Sequence, residues 1–223
     1  MTLVEPASSL TDFALGILAL MIAGRLRPKE TTDAHWRWFF VWIGIAGLWV
    51  GFHHGFIVGH ETAAAFSWSA ISLLVAIAIS YLLAASVNTV LGKGHGHPLL
   101  AVRAISLAVF FSLVVSGNAT VITLMLTAGL AMALVIGLWL HAWQKDQPAV
   151  GLVLAAIVAS GLAAALKASS LQFNMGGWEF DLNSLYHVAQ MPGLLLLLVA
   201  IKRRAAATGG ETQRRGANVA VPV

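Results

Sequence analysis

Two short stretches of this chain concentrate the side chains that can do chemistry, and the rest of the sequence is largely apolar. They span residues 49–61 and 178–192. The chemically capable residues in them are His53, His54, His60, Glu61, Asp181, Asn183, His187 and Gln190. An ionisable or amide side chain inside an apolar segment is costly unless it has a partner, so these stretches are the candidate functional sites.

Helical spacing groups several of these residues onto common faces. Asn183, His187 and Gln190 follow one another at i, i+4 and i+7, which predicts a polar stripe along one helix. His60 is seven positions after His53, so we expect them to share a face of another helix.

Imidazole nitrogens accompanied by carboxylate oxygens are ligands that suit zinc. The candidate zinc ligands are His53, His54, His60 and His187. Because zinc lowers the pKa of a bound water toward neutrality, this pattern indicates hydrolysis. In such a reaction Asp181 is the candidate general base, and Asn183 and Gln190 are candidate donors to the oxyanion or the substrate headgroup.

The composition predicts the elements that must position these residues. Of 223 residues, 59% are hydrophobic and 10% are charged, which predicts an all-α integral membrane protein. A bilayer span needs about 20 apolar residues, so seven spans leave no length for a separate soluble domain. The predicted spans are 10–26, 37–59, 64–91, 98–116, 119–143, 148–170 and 182–201. We expect a seven-transmembrane helix bundle.

The basic residues predict the orientation of this bundle. Every Lys and Arg except Lys167 lies near the first, third or fifth loop or in the C-terminal tail. Because basic residues accumulate on the cytoplasmic side, we expect the N-terminus outside and the C-terminus in the cytoplasm. Residues 1–204 form the predicted transmembrane domain, and residues 205–223 form a predicted disordered cytoplasmic tail.

This orientation places the two polar stretches at similar depth. The second span ends, and the seventh begins, at the outer face, so His53 and His187 each lie about 10 Å below it. If these two helices face a common cavity, their side chains form one site that opens outward.

Other interpretations stay open at several positions. The histidines of the second span can form hydrogen bonds between helices, Asn183 can cap the last helix, and Gln190 can satisfy backbone freed by Pro192. Haem held between His53 or His54 and His187 is an alternative. A retinal protein is excluded because the seventh span lacks the lysine that a Schiff base needs.

The seven spans, the outside N-terminus, a histidine in the second span and the Asn183-x3-His187 pattern together resemble the CREST superfamily. That superfamily contains alkaline ceramidases and the progestin and adiponectin receptors. The resemblance implies zinc as cofactor, with His53 or His54 as the ligand of the second span and His187 as a ligand of the last. Asn183 and Met191 stand where the second histidine of the last span would be, so the ligand set departs from the family pattern.

The sequence therefore predicts a membrane-embedded, metal-dependent hydrolase of a lipid amide or ester, of the ceramidase type. The alternative is a receptor or sensor without catalysis that binds a small ligand in an outward-facing cavity. The expected partner is membrane lipid and not nucleic acid, and a homo-oligomer stays open. The pattern from Phe180 to Gln190 resembles that of bacterial membrane proteins, which implies the bacterial inner membrane.

Overall fold

A computed structural model of the chain describes residues 3–26, 31–92 and 94–219. These residues are almost entirely helical, and seven of their helices are long and apolar enough to cross a membrane. The elements are α1 (Pro6–Arg25), α2 (Thr31–Phe52), a π-helical turn (His53–Ile57), α3 (Glu61–Leu91), α4 (His97–Val115), α5 (Val121–Gln144), α6 (Val150–Lys167), β1 (Phe173–Met175), β2 (Trp178–Phe180) and α7 (Leu182–Val219). The prediction of an all-helical chain with seven apolar helices is confirmed, and its membrane orientation stays a prediction.

Two differences from the predicted spans concern the polar stretches. The second predicted span continues to residue 59, whereas α2 ends at Phe52 and gives way to the π-helical turn. Before α7 the chain forms an antiparallel hairpin of β1 and β2, in which Phe173 pairs with Phe180.

Some residues used in the predictions lie outside the described residues. They include Arg27, Lys29 and Lys93, which are among the basic residues that predict the orientation. Part of the predicted tail, 205–223, also lies outside them, and its disorder stays a prediction.

Local chemistry explains where several helices begin. Proline stands at the start of α1 and of α4, where its missing N–H is not needed. Thr120 caps α5 through a reciprocal pair of hydrogen bonds with Thr123. In the tight hairpin between α4 and α5, Gly117 has a φ of 71°, which only glycine adopts without strain.

Six of the helices form a closed ring. Around the ring, α1 packs on α2, α2 on α3, α3 on α5, α5 on α6, α6 on α7, and α7 on α1 again. Helix α4 lies outside this ring against α3 and α5. Within the described part of the chain, α2 and α7 make no direct contact, because α1 lies between them.

Glycines allow the backbones of α1 and α2 to approach closely. A Cβ atom on Gly47 would lie 2.8 Å from the Cα of Gly16, and one on Gly16 would lie 2.7 Å from the backbone nitrogen of Leu48. Further along α2, a Cβ atom on Gly51 would lie 2.9 Å from the Phe13 ring. Gly44, one turn before Gly47, also faces α1, since a Cβ atom there would lie 3.1 Å from the Gly16 carbonyl oxygen. Small residues at such a contact are typical of helices that pack in membranes.

The apolar core occupies the half of the bundle opposite to the histidines. It is built from the C-terminal half of α1, the N-terminal half of α2 and the ends of α3, α5, α6 and α7 near them. Trp139 is buried in this core, and its indole N–H donates to Ser86. Close packing therefore holds one half of the ring together, and His53, His54 and His187 lie in the other half.

We expect Gly47→Ala to destabilise the protein, because the added methyl group would clash with the α1 backbone. Overpacking of this kind costs about 1–3 kcal/mol. The matched control is Gly129→Ala on α5, where no atom lies within 4 Å of the new Cβ. Thermal unfolding in detergent should show a lower Tm for Gly47→Ala alone. Equal Tm values for the two variants would contradict the close α1–α2 packing.

The predicted orientation can be read from single cysteines, because the chain has none of its own. Ser170→Cys lies between α6 and β1, and Gln144→Cys lies at the end of α5, both at exposed positions. In sealed cells or oriented vesicles, a membrane-impermeant maleimide should label Ser170→Cys from outside and Gln144→Cys only after permeabilisation. The reverse labelling pattern would refute the orientation.

Candidate functional site

Helix α1 carries the polar face around which the site is built. Glu5, Ser8, Ser9 and Asp12 follow one another at helical spacing at its N-terminal end. The last three of these side chains are buried. Because α1 packs between α2 and α7, one polar face contacts both of the helices that carry the histidines.

Asp12 and His187 form a buried pair across the α1–α7 interface. His187 Nε2 lies 2.8 Å from Asp12 Oδ1, and the Asp12 side chain is 0% exposed. This contact is close in distance, but neither Asp12 oxygen has a well-directed hydrogen bond in the structure, and the buried Nδ1 of His187 has no partner. A carboxylate and an imidazole buried in this way are costly unless they stabilise one another.

The two histidines after α2 are also held by oxygen atoms. His54 Nδ1 lies 2.5 Å from Glu5 Oε2, which links the end of α2 to the start of α1. His53 Nδ1 lies 3.0 Å from the Ser67 hydroxyl, which also accepts a hydrogen bond from the Trp49 indole N–H. In all three histidines, therefore, one ring nitrogen lies within 3.0 Å of a carboxylate or hydroxyl oxygen.

The π-helical turn places His53 and His54 side by side at this interface. Val58 N–H donates to the His53 carbonyl at 2.9 Å, one residue further along the chain than in an α-helix. The carbonyls of His54 and Gly55 instead accept from the backbone N–H groups of Glu5 and Val4. π-helical turns of this kind are frequent at functional sites.

Asp181 anchors the start of α7 to α1. Its Oδ1 accepts from the Ser184 backbone N–H at 2.9 Å and from the Ser8 hydroxyl at 2.7 Å. Burial by itself raises the pKa of the Asp181 carboxyl, but the hydrogen bonds from Ser184 and Ser8 outweigh it, so this pKa lies below its ordinary value. The carboxylate therefore caps the helix and stays ionised.

The structure places the other predicted residues as follows. Asn183 donates to Asp181 Oδ2 at 3.3 Å, so the cap of α7 is Asp181 and Asn183 supports it. Gln190 donates to the Tyr186 hydroxyl at 2.6 Å. His60 is exposed in the turn before α3, and the helix ends before reaching it. The helix face that was predicted to join His53 and His60 is therefore absent.

Helices α2 and α7 do not contact each other in the described residues, so their histidines do not meet directly. His187 faces Asp12 of α1, and His54 faces Glu5 of the same helix. Among the residues that the structure describes, no group of three His, Cys, Asp or Glu side chains is placed to hold a metal ion. Two separate histidine–carboxylate pairs stand where the sequence predicted one cluster.

Sequence reasoning missed Asp12 as a member of the site. The sequence-based interpretation gave it no role, although it falls inside the first predicted span. The available signal was the recurrence of Glu5, Ser8, Ser9 and Asp12 at helical spacing, which marks a polar face in an apolar helix.

A cation lies beside these groups. The Lys167 ammonium, at the end of α6, is 4.9 Å from the centre of the Tyr186 ring. Tyr186 precedes His187, and their rings are 4.8 Å apart in an edge-to-face arrangement. Lys167 is the one basic residue that the predicted orientation places on the outer side, and its ammonium group can donate to a negatively charged atom.

A family model matches residues 7–206, which is most of the chain. Its description is a family of unknown function, DUF6962. No curated protein and no solved structure gave a significant match. The matched range contains Asp12, both buried histidines after α2, and the whole of the α7 polar stripe.

We expect Asp181→Ala to lower stability by about 1 kcal/mol, because it removes the cap of α7 and the bond to Ser8. Since the folded-state pKa of Asp181 is depressed, its stabilisation is present above the unfolded-state pKa and is lost as pH falls through the folded-state value. The difference in Tm from the wild type should therefore shrink below about pH 4. Glu179→Ala, an exposed acid on β2, is the control. A Tm difference that does not change with pH would refute the assignment.

Proposed function

The chain belongs to DUF6962, a family of unknown function, and from its site we propose that it is a membrane-embedded hydrolase of a lipid amide or ester. In this proposal the enzyme lies in a bacterial inner membrane with its N-terminus and its site on the outer side. The observation that carries the proposal is the buried pair of Asp12 and His187.

A carboxylate in contact with a histidine ring is a device for moving protons. The carboxylate orients the imidazole and stabilises its protonated form, which makes the ring a better general base. Asp12 is fully buried in a span, where an ionisable group that only filled space would be replaced by an apolar one at lower cost. The pair is therefore better explained by chemistry than by packing.

The proposed reaction needs a water molecule as nucleophile. His187 takes a proton from this water while the water oxygen bonds to the carbonyl carbon of the substrate. The protonated His187 then gives the proton to the leaving amine or alkoxide as the carbon–nitrogen or carbon–oxygen bond breaks. Lys167 is the candidate donor to the developing oxyanion, together with Gln190. Asp181 acts as a positioning residue, since its Oδ1 already accepts two hydrogen bonds.

The types of side chain present suit zinc, but the described residues are not placed to bind it. Histidines that bind a metal commonly have the other ring nitrogen bound by a carboxylate or similar group. His54 has such a hydrogen bond with Glu5, and His187 lies 2.8 Å from Asp12. A catalytic zinc site takes about three protein ligands, and no such group is assembled in the described part of the chain. No step of the proposed reaction therefore passes through a metal, and zinc enters as a separate arm of the test.

The depth of the pair supports a lipid substrate. Asp12 is the seventh residue of α1 and His187 the sixth of α7, so each lies about 8–9 Å from the start of its helix. A carbonyl group just below the lipid headgroups would reach this depth without leaving the membrane. A soluble substrate would have to enter between apolar helices.

The test is turnover of a panel of fluorescent lipid amides and esters by the purified full-length chain, with added zinc and after chelation. We expect Asp12→Asn and His187→Gln each to lower kcat/KM at least about 100-fold, the usual range for loss of a general base. His141→Gln, at an exposed histidine on the opposite end of α5, should keep the wild-type rate.

Two results would overturn the proposal. The first is no hydrolysis of any lipid amide or ester under either metal condition. The second is full activity in Asp12→Asn and His187→Gln. Saturable binding of a small ligand without turnover would instead favour the receptor interpretation. Activity that appears only with zinc would keep the hydrolase and add the metal.

A further inference from the structure

A second polar feature lies away from the histidine pairs, in a groove between α3, α4 and α5. The groove is partly open to its surroundings, and about 370 Å³ of empty space, including the open side, lies along it. Most of its wall is aliphatic, from residues such as Leu83, Val102 and Leu134. Its polar lining consists of Ser80, Arg103, Ser106 and Thr127. An apolar groove with one cation and three hydroxyl groups has the lining of a site for an amphipathic anion.

The guanidinium of Arg103 is held in a fixed position. Its Nε donates to the Ser80 hydroxyl at 2.7 Å, and its central carbon lies 5.2 Å from the centre of the Tyr81 ring. Both contacts come from α3, so the arginine bridges α4 to the ring of helices. They leave the two terminal nitrogens of the guanidinium free to bind both oxygens of a phosphate.

No carboxylate neutralises this arginine in the described part of the chain. None of the groove-lining residues is acidic, and the ion pairs of the described residues involve other side chains. A cation six residues inside a span is costly without an anion, so an anionic partner from outside the chain would stabilise it.

The groove is accessible from the lipid phase. Helix α4 carries Arg103, and only 6% of its most apolar stretch is buried within the protein, against 56% for the corresponding stretch of α3. Arg103 lies about 9 Å from the start of α4, within reach of headgroups on the face predicted to be cytoplasmic. Basic pockets between helices on that side are known binding places for anionic lipid headgroups.

We propose that the groove between α3, α4 and α5 binds an anionic phospholipid of the cytoplasmic leaflet. The Arg103 guanidinium binds the phosphate, and one acyl chain lies along the aliphatic wall. This site is independent of the proposed hydrolase activity, since none of its lining residues belongs to the histidine pairs.

The experiment is native mass spectrometry of the delipidated full-length chain in a non-ionic detergent, titrated with phosphatidylglycerol or phosphatidylcholine. We expect the wild type to bind phosphatidylglycerol at least about tenfold more tightly, as one charge-assisted contact would provide. Arg103→Gln should lose this preference, and Arg103→Lys should keep part of it. Arg25→Gln removes an exposed arginine at the end of α1 and should bind like the wild type.

Three outcomes would overturn the proposal. One is equal affinity of the wild type for the two lipids, which needs no variant and so holds even if Arg103→Gln fails to fold. Another is an unchanged preference in Arg103→Gln. The third is full competition by millimolar inorganic phosphate, which would show a site for free anions and not for a lipid.

Discussion

The close approach of α1 to α2 is the contact on which the candidate site depends. Gly16 and Gly47 bring the two backbones together, and the Ser9 hydroxyl then donates to the Gly51 carbonyl across the same interface. A polar group inside a bilayer has no water to bind, so it must find its partner on a neighbouring helix. With a larger residue at Gly47, the polar face of α1 would be displaced from the carbonyls and histidines that it now satisfies.

One half of the bundle contains the apolar core, and the other half contains the candidate site. Close packing around Trp139 and Phe40 holds one half, where the indole N–H groups of Trp36 and Trp139 donate to the hydroxyls of Thr89 and Ser86. The other half contains the histidine–carboxylate pairs and the π-helical turn. The candidate site therefore lies apart from the close-packed apolar core.

The two proposals rest on different electrostatic environments within one fold. The hydrolase proposal rests on a buried acid and base that can exchange a proton, and the lipid proposal rests on a partly buried cation, Arg103, that has no carboxylate partner among the described residues. Asp12 already has its partner within the chain, whereas Arg103 has a hydroxyl and an aromatic ring as neighbours. That difference is why the first site is assigned chemistry and the second is assigned a ligand.

The sequence by itself determined the all-helical class and the approximate limits of the seven apolar helices, because hydropathy over about 20 residues is a local property. It also identified His53, His54, Asp181 and His187 as polar residues that need partners. The choice of partners was made by the tertiary structure. His187 contacts Asp12 and His54 contacts Glu5 only because α1 packs between α2 and α7. This order of helices depends on glycine contacts between segments distant in the chain. Periodicity within one helix carries no information about which helix lies beside it.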